Sequence, residues 1–165
     1  MVTQECLRML NPIHHKEVLL EWVRAKQVCL DMAFAVHVPS SETGTGRARD
    51  DIWLSQKLSR FFRQLDERIA RHGIEKHVER LVVMHLSPDV GWHAHFQIAT
   101  PQHMAQQEFA DLVKRLWLRS VGGGKRCTMK RRLFWAEEVR AGYLPYMLGH
   151  LSIDTVDWEN TYFTS

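Results

Sequence analysis

Apolar residues along the chain keep two rhythms, one helical and one alternating, and the switches between them mark out the elements. Residues 11–27 have helical spacing, with Val18, Leu19, Trp22 and Val23 on one side. "CLDMAFAVHVP" then alternates as a strand that Pro39 stops. "SSETGTGRARDD" follows as a small, polar, glycine-containing loop, and Asp50 or Asp51 can cap what comes next. The clearest helix of the chain follows: Leu54, Leu58, Phe61, Phe62, Leu65 and Ile69 form its stripe, and Gly73 ends it. "ERLVVMHL" and "WHAHFQIAT" are two strands around the turn "SPDVG", a β-hairpin closed by Pro101. A second amphipathic helix turns Phe109, Leu112, Val113, Leu116 and Trp117 inward and breaks at "VGGG". "KRCTMKRRLFW" reads as a basic strand, "YLPYMLGHL" as a short helical segment opened by Gly142, and the tail "SIDTVDWENTYF" has no clear period.

This order, roughly α-β-α-β-β-α-β-α, predicts an α+β fold: an antiparallel sheet with helices packed mainly on one face. The chain has 165 residues, enough for a single domain with a real core over residues 1–165, in which residues 1–30 are an N-terminal helical extension. A net charge of +3 is too small to single out a partner. No apolar run is long enough to cross a bilayer and no basic leader precedes an apolar stretch, so the expected setting is the cytoplasm. Cys6, Cys29 and Cys127 are too few and too scattered for a disulfide framework or a thiolate metal site, and are expected as buried or half-buried thiols. Trp92, Trp117 and Trp135 are expected to fill core rather than to stack on bases.

Chemistry enters with "GWHAHFQI". Side chains alternate along a strand, so His93, His95 and Gln97 share one face while Trp92, Ala94, Phe96 and Ile98 take the core side. Two imidazoles at i and i+2 are within reach of one small cation, and neutral imidazole suits manganese, zinc and similar ions. Across the hairpin turn, His85 can lie opposite this pair. Three histidines from adjacent strands make an open site with free coordination positions, as a catalytic metal requires. Read alone, a strand H-x-H is more often an exposed polar face than a ligand pair, and His85 is what changes the balance. His14, His15, His72, His77 and His103 read as surface residues, and His37 has no partner that the sequence can name.

"GYLPYMLGHL" carries Tyr143 and Tyr146 on one helical face. A phenol is a poor nucleophile at neutral pH, but a phosphate polarised by a nearby metal can accept its attack. Packed against a sheet with its hydroxyl at the rim, a tyrosine needs no such role. Lys125, Arg126, Lys130, Arg131 and Arg132 lie just before this segment, and Arg47 and Arg49 sit in the glycine-containing loop. Such clusters suit a phosphate backbone, and equally a solvated edge strand or a long connection.

Together "AFAVHVP", "HAH" and "YMLGH", in that order, resemble the three motifs of the HUH endonuclease superfamily, and more narrowly a rolling-circle replication initiator of plasmid or phage type. The resemblance runs from about Met32 to the end of the chain, and only the histidine motif is sharp. It implies a ferredoxin-like or RRM-like sheet with the histidine strand central and the tyrosine helix beside it. It implies metal-dependent, site-specific nicking and joining of single-stranded DNA at an origin hairpin, through a 5′-phosphotyrosine on Tyr146, with Tyr143 second. His85, eight residues before His93, falls where the family takes its third metal ligand, often Glu. The implied cofactor is Mn2+ or Mg2+, three nitrogen ligands favouring manganese, and host replication proteins are implied partners. The family's lysine, three residues after the nucleophile, falls on Gly149, with His150 next to it able to orient phosphate or protonate the leaving oxygen. A transposase or mobilisation relaxase of the same superfamily is an alternative, as is a non-catalytic nucleic-acid-binding domain, which Gly149 favours.

Overall fold

The computed structural model describes residues 12–26, 29–38, 51–71, 76–87, 91–121, 134–139 and 156–163. In chain order these form α1 (Pro12–Ala25), β1 (Met32–His37), α2 (Asp51–Ala70), β2 (Arg80–Ser87), β3 (Gly91–Ile98), α3 (Gln106–Ser120) and β4 (Phe134–Glu138). The strands make one four-stranded sheet in the order β2-β3-β1-β4, antiparallel at every pairing. From β1 onward the order βαββαβ with two inner strands β1 and β3 is the split βαβ, ferredoxin-like arrangement.

Alternation divides the sheet into two unlike faces. Met32, Phe34 and Val36, with Val82, Met84, Ala94, Phe96 and Ile98, point to the side where α2 and α3 pack. All six residues of the α2 stripe are buried there, as are Phe109, Val113, Leu116 and Trp117 of α3. Aromatic rings knit the layers: Phe61 lies 4.8 Å from Phe62, 6.0 Å from Phe96 and, edge-on, 5.7 Å from Trp117. The opposite face carries Ala33, Leu81 and Val83 against Leu19 and Val23 of α1 and against Val156. Two of the three helices described thus share one face, and α1 covers part of the other.

Asp66 is the one polar residue buried in the α2 stripe. Its carboxylate accepts from Arg80 Nη1 at 2.9 and 3.1 Å and from the Val78 amide at 3.2 Å. The buried Arg80 guanidinium also donates to Val78 O and Asn160 O and lies 4.4 Å over the Phe62 ring. This network explains why an acid is tolerated inside: each buried charge has its opposite and its hydrogen bonds.

The tail without a period folds along the outer edge of β2. Arg80 and Tyr162 exchange backbone hydrogen bonds of 2.7 and 2.9 Å, and the Asp157 amide donates to Val82 O at 3.0 Å. Its side chains show no rhythm because each meets a different partner. Val156 joins the apolar patch under α1, Asn160 and Ser55 donate to the Asp157 carboxylate, and Phe163 sits edge-on to Trp22 at 5.0 Å. Burial pushes the Asp157 carboxyl up, while the Asn160 and Ser55 hydrogen bonds pull it down.

Two sequence expectations change, those for Trp135 and Cys29. Of the strand expected in "KRCTMKRRLFW", residues 125–133 lie outside the described residues and Phe134 and Trp135 fall in β4, where Phe134 and Ala136 are the alternating residues that reach the main core. Trp135, between them, points to the other face and is 41% exposed rather than core. Cys29, in the connection before β1, is exposed rather than buried.

Candidate metal centre

Register fixes the histidines. His93 on the inner strand β3 stands directly opposite His85 of β2 on one side and His37 of β1 on the other. His95, two residues on, shares their face. His85, His93 and His95 form a triangle with ring centres 5.6, 5.2 and 5.2 Å apart. His37 stacks on the far side of His93 at 5.1 Å, its ring tilted by only 4° from parallel. The patch lies beyond the apolar half of this face, where α1 packs, and it is not part of either apolar cluster.

His93 is buried, with 9% of its surface exposed, while His37, His85 and His95 are half-buried. Its Nδ1 lies 3.1 Å from the carbonyl oxygen of Gly91. A carbonyl can only accept, so Nδ1 carries the proton and Nε2 of the neutral ring keeps its lone pair. That is the tautomer in which a histidine ligates through Nε2 while its other nitrogen is held by a second group. Gly91 places this carbonyl from a backbone φ of +71°, a left-handed conformation that an L side chain resists. Burial, and after it electrostatic coupling to the neighbouring His93 imidazole, pushes the His37 imidazole below its ordinary value. Its Nδ1 is buried with no hydrogen-bond partner.

The donor set fits a divalent transition ion. With Zn–N near 2.1 Å and a ring centre about 1.1 Å behind the nitrogen, two imidazoles spread tetrahedrally on one ion have centres about 5.2 Å apart. The observed separations bracket that value. Among the described residues, no group of three His, Cys, Asp or Glu side chains is placed to hold a metal ion.

Of the residues singled out in the sequence, His85, His93 and His95 are brought together. Tyr143, Tyr146, His150, Lys125, Arg126, Lys130, Arg131, Arg132, Arg47 and Arg49 lie outside the described residues. His77 and His103 are exposed, His77 at 3.1 Å from Asp66. His37 is the residue that sequence reasoning left without a partner. The signal was present: "AFAVH" alternates so that its histidine takes the face opposite Phe34 and Val36, but only the β1–β3 register shows that His93 is its neighbour. Comparison with protein-family models, with curated proteins and with solved structures finds no match for this chain.

Proposed function

We propose that the chain is a metal-dependent nickase and strand transferase for single-stranded DNA, of the HUH type, that initiates rolling-circle replication. The observation that carries the reading is the triangle of His85, His93 and His95 on one face of the β2–β3 hairpin. The ferredoxin-like order of the sheet, with the histidine strand inside it, supports it further. Val139 and Val156, which flank the stretch that holds Tyr143 and Tyr146, both pack in the apolar cluster on the histidine-bearing face.

His85, His93 and His95 would hold the divalent ion, Mn2+ or Mg2+, through neutral imidazole nitrogens. When bound, the ion withdraws charge from the scissile phosphate and stabilises the charge developing on its oxygens. Tyr146 gives up its phenolic proton to solvent water and bonds to phosphorus. The phosphorus–oxygen bond to the preceding nucleotide breaks, and that 3′ oxygen takes a proton, with His150 as the donor. The products are a 5′-phosphotyrosine and a free 3′ hydroxyl that primes synthesis. Because one phosphodiester replaces another, the step can run backward and rejoin the strand. Lys125, Arg126, Lys130, Arg131 and Arg132, with Arg47 and Arg49, would hold the phosphate backbone at an origin hairpin.

Single-stranded oligonucleotides incubated with Mn2+ test the reading by the covalent adduct on a denaturing gel. Tyr146→Phe should abolish the adduct and His93→Ala should lose it together with metal binding. An undiminished adduct in Tyr146→Phe refutes the assignment. Gly149, where the family has lysine, supports a second reading, a nucleic-acid-binding domain without chemistry. On that reading the unaltered chain retains oligonucleotides in a salt-dependent manner yet forms no adduct with any divalent ion.

A further inference from the structure

We infer that the cleft between α2 and the terminal segment binds a 5′-phosphorylated nucleoside, with the phosphate on Arg80 and Lys76 and the base against Tyr162. The cleft has a volume of about 620 Å³, within the range of small-molecule sites. It lies at the end of β2 away from the histidines: Arg80 opens the strand and His85 comes five residues later, about 17 Å along it. The inference therefore stands whether or not the histidine patch holds an ion.

Arg80 is what points to an anion. Its side chain is only 9% exposed, and Nε and Nη1 are spent inside the protein, on Asn160 O, Val78 O and the Asp66 carboxylate. Nη2 takes no acceptor among the described residues, yet it is not sealed from solvent. The guanidinium is thus held rigid with one donor nitrogen to spare, and the side chain that carries it lines the cleft. A donor already fixed in place loses little freedom on meeting an oxyanion. Asp66 does not oppose this, because Arg80 matches its charge and its oxygens also accept from the Val78 amide and from His77 Nδ1.

Lys76, exposed and next to His77, adds a mobile cation to the same wall. Tyr162 supplies an aromatic surface: it is half-buried, with its ring 5.1 Å from His77 and 5.8 Å from the Arg80 guanidinium. A base stacks on such a ring whatever its sequence identity. Glu67 and Glu159 on the cleft walls limit how much negative charge it accepts. That favours one phosphate over a triphosphate chain.

The test uses the full chain and calorimetric titration with inorganic phosphate, deoxyadenosine, dAMP and dATP. The parent should bind dAMP more tightly than phosphate or deoxyadenosine alone, and dATP no more tightly than dAMP. Lys76→Gln should weaken dAMP and phosphate about tenfold, roughly the contribution of one hydrogen bond to a charged group, and leave deoxyadenosine unchanged. Tyr162→Leu should reduce dAMP to the affinity of phosphate. Far-UV circular dichroism checks both folds, and Lys76, being exposed, keeps the test intact if Tyr162→Leu does not fold. A (dA)6 oligonucleotide with and without a 5′ phosphate separates the two sources of the ligand. Tighter binding of the phosphorylated form, lost in Lys76→Gln, assigns the site to a strand end, and equal binding of the two forms alongside dAMP binding assigns it to a free nucleotide. A parent chain that binds neither dAMP nor phosphate, or dAMP affinity unchanged in Lys76→Gln, overturns the site. Tighter binding of dATP than of dAMP overturns the preference for one phosphate.

Discussion

Asp66→Ala is the perturbation whose size the structure sets most directly. The substitution removes both carboxylate oxygens that Arg80 Nη1 reaches, at 2.9 and 3.1 Å, and the acceptor for the Val78 amide. Arg80 is 7% exposed, so its charge cannot turn to water without carrying β2 and the terminal segment with it. Breaking one side of a buried ion pair costs about 3–5 kcal/mol, because the surviving charge is left uncompensated. The 3.1 Å contact to His77 adds little, since that imidazole is 53% exposed and screened. For a domain of this size about 2–4 °C of melting temperature goes with each kcal/mol, so Tm should fall by roughly 6–20 °C. Urea unfolding followed by circular dichroism measures the free energy, and a thermal scan gives Tm. Asp66→Leu combined with Arg80→Met separates a charge effect from a packing effect: without either charge, much of the loss should return. The argument fails if Asp66→Ala costs under about 1 kcal/mol, the range of an exposed pair, or if the double variant is no better than the single one.

Three further outcomes follow from particular contacts. A Cβ on Gly91 would meet nothing within 4 Å, so Gly91→Ala is a test of backbone strain alone. It should cost about 1–2 kcal/mol in urea unfolding and, by moving the carbonyl that holds His93, weaken Mn2+ binding in calorimetry. Phe61→Ala opens the aromatic layer between α2, α3 and β3, and denaturant unfolding should register about 3–5 kcal/mol. His37 takes up its proton at lower pH in the folded chain than in the unfolded one. Between those two values the unfolded state binds more protons, so stability holds above the ordinary imidazole value of 6.5 and is lost as pH falls through the folded one. Unfolding curves of the metal-free chain between pH 7 and 5 should therefore show a flatter acid limb for His37→Phe.

Legibility followed the range of the interaction. The α2 stripe, the hairpin and the inward face of α3 are local patterns, and the structure carries each of them. The alternation in "WHAHFQI" put His93 and His95 on one face correctly, because period two is a property of the strand itself. His85 was reachable too, since a short turn fixes the hairpin register. His37 was not, because β1 and β3 pair across more than fifty residues and no local signal sets that register. The partner of Asp66 was equally out of local reach, since Arg80 meets it from β2. Trp135 illustrates the reverse error: hydrophobicity suggested burial, but strand parity turned it away from the core.

The terminal segment gives β2 its outermost backbone partners, and it is the last part described to be synthesised. On the ribosome the hairpin is complete long before residues 156–163 emerge, so for that interval β2 presents a row of open amides and carbonyls to its surroundings. Open strand edges invite pairing with other chains. Slowing translation late in the message lengthens that interval and should therefore lower the yield of monomer.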